Sequence, residues 1–111
     1  MAQTDQDIEI WEGEYIEIPF GVVDTDGAVV NISGATLAWK MCVDGPTGEV
    51  MLTKTPSIVS GAGGTCKVTI AAGDTTTMGG KSYYHELAIT LASRPEVGAT
   101  GKIKINKSAN L

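Results

Sequence analysis

Gly13-Glu14-Tyr15-Ile16-Glu17-Ile18-Pro19-Phe20, then Asp24-Thr25-Asp26-Gly27, then Asn31-Ile32-Ser33-Gly34-Ala35-Thr36-Leu37-Ala38-Trp39-Lys40-Met41-Cys42-Val43 decide the fold of this chain. In the first piece Ile16, Ile18 and Phe20 alternate with Tyr15, Glu17 and Pro19. In the last, Leu37, Trp39, Met41 and Val43 alternate with Thr36, Ala38, Lys40 and Cys42. Successive side chains of a strand point to opposite faces, so a period of two separates a core face from a solvent face. Trp39 is the expected central core aromatic. The Asp-Thr-Asp-Gly piece between them reverses the chain, because Asp bonds its own backbone and Gly27 accepts positive φ without a Cβ penalty.

The same period recurs outward from this stretch. Ile8 and Ile10 alternate with Asp7 and Glu9, and Pro19 marks its strand as an edge or a bend. A strand over residues 50–55 is interrupted by Pro56, and another covers 65–71, with Cys66, Val68 and Ile70 sharing one parity. Residues 81–92 read as the longest strand, with Tyr83, His85, Leu87, Ile89 and Leu91 on one face. Residues 94–101 read as a loop, after which Ile103 and Ile105 supply the last strand. Residues 73–80 have no strand periodicity and read as the crossover between sheets, with one short helical turn near 74–78 capped by Asp74. Seven to eight short strands without an amphipathic helix predict an all-β, antiparallel, immunoglobulin-like β-sandwich, with a small barrel as the alternative. A single domain over residues 1–111 is expected, with frayed ends at about 1–5 and 107–111.

Composition agrees and narrows the function. A chain of 111 residues buries roughly 60 to 70 per cent of its unfolded surface, enough for a core without metal or disulfide help. The net charge is −5 with the basic residues scattered singly, which argues against a nucleic-acid partner. The sequence has no apolar run of the roughly 18 residues that span a bilayer and no secretory leader pattern, so no membrane is expected and cytosolic synthesis is. Cys42 and Cys66 fall on opposite parities of their strands, and free thiols are expected.

No cluster of residues composes an active site. Asp24 and Asp26 resemble the start of a calcium loop but lack its third ligand, its sixth-position Gly and its twelfth-position Glu, so they read as turn residues. His85 is the single histidine and shares the parity of Leu87, which makes it a partly buried, hydrogen-bonded structural group. Gly61-Ala62-Gly63-Gly64 is a hairpin turn, since no helix follows to complete a phosphate loop. Glu12 with Glu14, and Glu9 with Glu17, read as solvated carboxylates rather than acid/base pairs. The expectation is no catalytic residue, no metal and no cofactor. Trp11 and Tyr84 are aromatics at solvent parity, the residue type that anchors interfaces. With Ile8 and Ile10 of the first strand, they form the candidate interface.

Gly13-Glu14 before an alternating strand, Asp24-Thr25-Asp26-Gly27 leading into Asn31-Ile32-Ser33-Gly34-Ala35-Thr36-Leu37, and Gly80-Lys81-Ser82-Tyr83-Tyr84-His85-Glu86-Leu87 together resemble the β-sandwich modules of tailed bacteriophages. These modules are typified by the N-terminal domain of baseplate upper proteins and by related tail-fibre and head-fibre domains. Asn31, Ile32 and Ser33 stand where that family usually has Asp-Leu-Thr. The resemblance implies a non-enzymatic virion part docking onto other virion proteins, as capsid decoration, head-fibre or tail/baseplate component, and often as a homo-oligomer. The alternatives are a carbohydrate-binding adhesion module stacking sugars on Trp11 and Tyr84, and a small enzyme built from His85, Cys66, Asp24 and Asp26.

Overall fold

The computed structural model describes residues 6–110. Its strands are β1 (Ile8–Trp11), β2 (Ile16–Gly21), β3 (Thr36–Cys42), β4 (Val50–Lys54), β5 (Ser57–Ser60), β6 (Thr65–Ile70), β7 (Lys81–Leu91) and β8 (Arg94–Asn106). They make two sheets, in the order β1-β8-β7-β3-β4 and β2-β6-β5. The molecule is a β-sandwich. Leu37, Trp39 and Met41 of β3 and Tyr83, His85, Leu87 and Ile89 of β7 are buried against Ile18 and Phe20 of β2 and Cys66, Val68 and Ile70 of β6. Trp39 has no exposed surface, as its place in the alternation requires.

Four features depart from the sequence expectation. The β1–β8 ladder is parallel, with Ile8 opposite Ile103 and Ile10 opposite Ile105, whereas the other ladders are antiparallel. No tight turn ties β1 to β8, so no hairpin imposes an antiparallel direction.

Residues 94–101 are strand rather than loop. Ala92 (φ 50°) and Ser93 (φ 65°) both take left-handed conformations and close a two-residue turn, so Arg94 pairs with Leu91 and β8 outruns β7 as the longest strand. Pro95 and Gly98 suggest a loop, yet Gly98 is the extra residue of a bulge, between Ala99 opposite Leu87 and Val97 opposite Ala88. A Cβ on Gly98 would lie 2.5 Å from the Ile89 side chain, which fills that space.

The helical turn is a 3₁₀ turn at Ala72–Asp74, one step before the expected 74–78. Asp74 closes this turn instead of opening the next: its carboxylate accepts the Ala71 N–H (2.8 Å) and pairs with Lys54 of β4 (2.7 Å). The neighbouring ammonium, more than the Ala71 bond, holds the Asp74 carboxyl below the ordinary carboxylate range. Residues 75–78 form a further turn closed by Met78 N–H on the Thr75 carbonyl (3.0 Å).

Glu12, finally, is buried rather than solvated. Residues 1–5 and 111, most of what the sequence marks as frayed ends, lie outside the described residues.

Candidate docking surface

β1 and β2 are each the last strand of their sheet, and the short Glu12–Tyr15 connection sets them side by side. One flank of the sandwich is therefore bordered by two edge strands. Between them runs an open groove of about 460 Å³, floored by Ile8, Ile10, Ile16 and Ile18 and rimmed by Asp7, Glu9, Glu14 and Glu17.

Two buried polar anchors hold this flank in place. The His85 ring lies between the sheets, with its centroid 6.0 Å from both Phe20 and Trp39. Trp39 Nε1–H donates to His85 Nδ1 (3.3 Å), and His85 Nε2 is 2.6 Å from the Gln6 carbonyl oxygen. An indole only donates and a carbonyl only accepts, so Nδ1 must be the acceptor and Nε2 must carry the proton. His85 is neutral, and burial pushes its pKa below the ordinary value. Gly101, opposite His85 on β8, makes the Gln6 contact possible: a Cβ there would sit 2.4 Å from the Gln6 oxygen.

The second anchor is Glu12. Its carboxylate accepts the Gly79 N–H (2.9 Å) and the Ser108 N–H (3.1 Å), while Thr75 Oγ1 accepts the Gly13 N–H (2.9 Å). The end of β1 is thereby fastened to the crossover and to the chain beyond β8. A Cβ on Gly79 would lie 2.3 Å from a Glu12 oxygen, so the carboxylate needs a glycine there.

The sequence-predicted interface residues divide. Trp11 is half exposed, at 50%. Ile8 is half-buried and Ile10 buried, so both face the core side of β1, and what that strand offers is its backbone edge. Tyr84 is half-buried, with its hydroxyl donating to Glu86 (2.7 Å); burial, then this carboxylate, pushes the phenol up to about 12. Trp11 is level with Asn106 and Tyr84 with Lys102, four residues apart along β8, or about 13 Å at the rise of a strand. The two aromatics do not compose a single stacking platform. Tyr15, 63% exposed beside Glu14, is a surface aromatic that the sequence reading left out, although its parity opposite Ile16 signals it.

The remaining candidates have local partners or are buried. Asp24 Oδ1 accepts the N–H groups of Asp26 (2.9 Å) and Ala28 (3.0 Å), so it serves its own turn. Cys42 and Cys66 are free thiols, both buried, and burial pushes the Cys66 thiol up.

No protein-family description and no curated protein sequence matches the chain. Among solved structures, the N-terminal domain of phage TP901-1 ORF48 matches with a TM-score of 0.62 and 11% identity, over 96% of this chain and 95% of that one. The chain has the fold of that phage domain. The natural cytotoxicity receptor NKp44 of NK cells also matches, with a TM-score of 0.48, 13% identity and coverage of 94% and 98%. The resemblance to phage β-sandwich modules carried by Gly13-Glu14, by Asn31 to Leu37 and by Gly80 to Leu87 is met at the level of fold.

Proposed function

We propose that the protein is a non-enzymatic structural component of a phage virion that docks onto other virion proteins through its β1/β2 flank. The carrying observation is that flank: two edge strands side by side over an apolar groove, with a half-exposed Trp11 at its end. The phage domain that shares this fold over nearly the whole chain supports the virion assignment. In this reading the module serves as capsid decoration, head-fibre or tail/baseplate component, in copies repeated around a symmetry axis, and its chemistry is recognition alone. An edge strand and an exposed aromatic are what such recognition uses.

The test is mass spectrometry of purified particles from the phage that encodes the chain, with wild type and Trp11→Ala compared. The wild-type chain is expected in the particles. Trp11→Ala is expected to be depleted from them by about tenfold, the effect of about 1.4 kcal/mol at an interface anchor, with an unchanged melting temperature. A wild-type chain absent from particles overturns the virion role; normal incorporation of Trp11→Ala removes Trp11 from the interface.

A further inference from the structure

We infer that the free edge of β1 receives an extended strand from a neighbouring virion protein, one that alternates apolar and basic residues. This rests on the docking reading above and specifies the partner's chemistry.

Backbone parity comes first. Gln6 N–H reaches the Thr100 carbonyl (3.0 Å) and Glu12 N–H the Asn106 carbonyl (2.9 Å), which puts the even-numbered residues of β1 in hydrogen bonds with β8. In a parallel ladder alternate residues face away, so the N–H and C=O of Asp7 and Glu9 point to the open side. The free stretch ends at Trp11, whose N–H is taken by the Glu14 carboxylate (3.2 Å).

β2 does not compete for the same strand. Val22 N–H bonds the Gly64 carbonyl (2.8 Å), so Ile16, Ile18 and Phe20 direct their backbone to β6, and Glu17 and Pro19 face outward. Pro19 has no N–H to offer, and proline at this parity blunts an edge. β1 has no such device. The Asp7 carboxylate is drawn back to Lys102 N–H (2.9 Å) and that of Glu9 to Asn106 Nδ2 (2.7 Å), both toward β8 and away from the open edge.

The side chains then choose the occupant. On a strand added beside β1, residues level with Ile8 and Ile10 point into the groove, whose floor is isoleucine. Residues level with Asp7, Glu9 and Trp11 point to the outer face, where the two carboxylates have Lys102 and Lys104 of β8 on one side and are open to a Lys or Arg on the other, next to the exposed indole. Across the groove the rim adds Glu14 and Glu17, of which Glu17 is already paired with Lys67 of β6, and none of the residues lining the groove is itself basic. A second copy pairing β1 with β1 would bring carboxylates against carboxylates, which is destabilising.

The experiment titrates the full chain with two capped peptides, Lys-Val-Lys-Val-Lys-Val and its glutamate counterpart, following backbone amides by NMR. The basic peptide is expected to shift amides of residues 7–11, 16–18 and 20, to bind at least about tenfold tighter than the acidic one, and to weaken as salt rises toward about 0.5 M. Glu9→Pro removes an open-side N–H together with the exposed Asn106–carboxylate bond, and is expected to abolish the shifts with little change in melting temperature. Should Glu9→Pro unfold, Glu9→Gln keeps an acceptor for Asn106 and is expected to weaken binding by about threefold, the loss of one partly screened charge pair. Equal binding of both peptides, shifts elsewhere, no shifts at about 1 mM peptide, or a self-associated dimer in sedimentation each overturn the inference. A chain found in particles that binds neither peptide loses the edge but keeps the docking role; one that binds the basic peptide yet is absent from particles keeps the edge and loses the virion.

Discussion

His85 is fully buried between two partners of fixed polarity, the Trp39 indole and the Gln6 carbonyl, and so is held neutral. Its pKa in the fold lies below the ordinary value near 6.5, to which unfolding returns it. Between those two values the unfolded chain holds a proton that the folded chain does not. Stability is therefore full above about pH 6.5 and falls as the pH drops below it, by up to about 1.4 kcal/mol per pH unit from this group. Urea melts of wild type and His85→Gln between about pH 7 and 5 check this; equal slopes in the two proteins would show that His85 does not carry the effect. Gly101 belongs to the same anchor. Gly101→Ala forces its methyl against the Gln6 backbone and is expected to cost about 1 to 3 kcal/mol, the usual penalty of overpacking. Loss of the Gln6 bond would appear in the His85 ring resonances, and an unchanged melt with unchanged resonances would refute it.

Among the elements, the β7–β8 hairpin shows what local signals conceal. Pro95, Gly98 and Gly101 look like loop residues in sequence, but one sits in an exposed stretch of strand, one is a bulge and one makes room for a neighbouring backbone. The turn that closes the hairpin is carried by Ala92 and Ser93, neither of them a residue that favours positive φ, at φ 50° and 65°. Left-handed backbone costs an ordinary residue roughly 1 kcal/mol or more. Replacing Ala92-Ser93 with Asn-Gly, the pair favoured where both central φ values are positive, is expected to stabilise the protein by about 1 kcal/mol. Thermal melts of Ala92→Asn/Ser93→Gly decide it, and a lower melting temperature would mean that the turn is not of this type. Glu12 was legible in principle, since it continues the parity of Ile8 and Ile10 and so points inward. What a reading of one strand lacks is the donor pair on Gly79 and Ser108, which makes a buried carboxylate tolerable. The strands and their inward faces follow from period two, whereas the parallel β1–β8 ladder and both anchors join residues far apart in the chain, and the groove, though lined within residues 6–20, depends on how two different sheets place their edge strands.

At the scale of the molecule, the two thiols report how the sandwich opens. Cys66 points into the core from β6, 1% exposed, and burial pushes its thiol up, so little of the reactive thiolate is present. It becomes accessible when the sheets separate, and because that opens the single core packed between them, separation is a global event. Cys42 lies on the outer face of the large sheet, opposite Tyr84 on one neighbouring strand and Val50 on the other. It is buried from outside, so a side-chain motion suffices to reveal it, at a lower free energy than unfolding. With a thiol reagent at about pH 8, Cys42 is expected to react first, at a rate that low urea leaves nearly constant. Cys66 is expected to follow the unfolding equilibrium and accelerate steeply with urea. Peptide mapping of the labelled protein separates the two sites; equal rates with equal urea dependence would mean that the outer face of the large sheet opens only when the whole sandwich does.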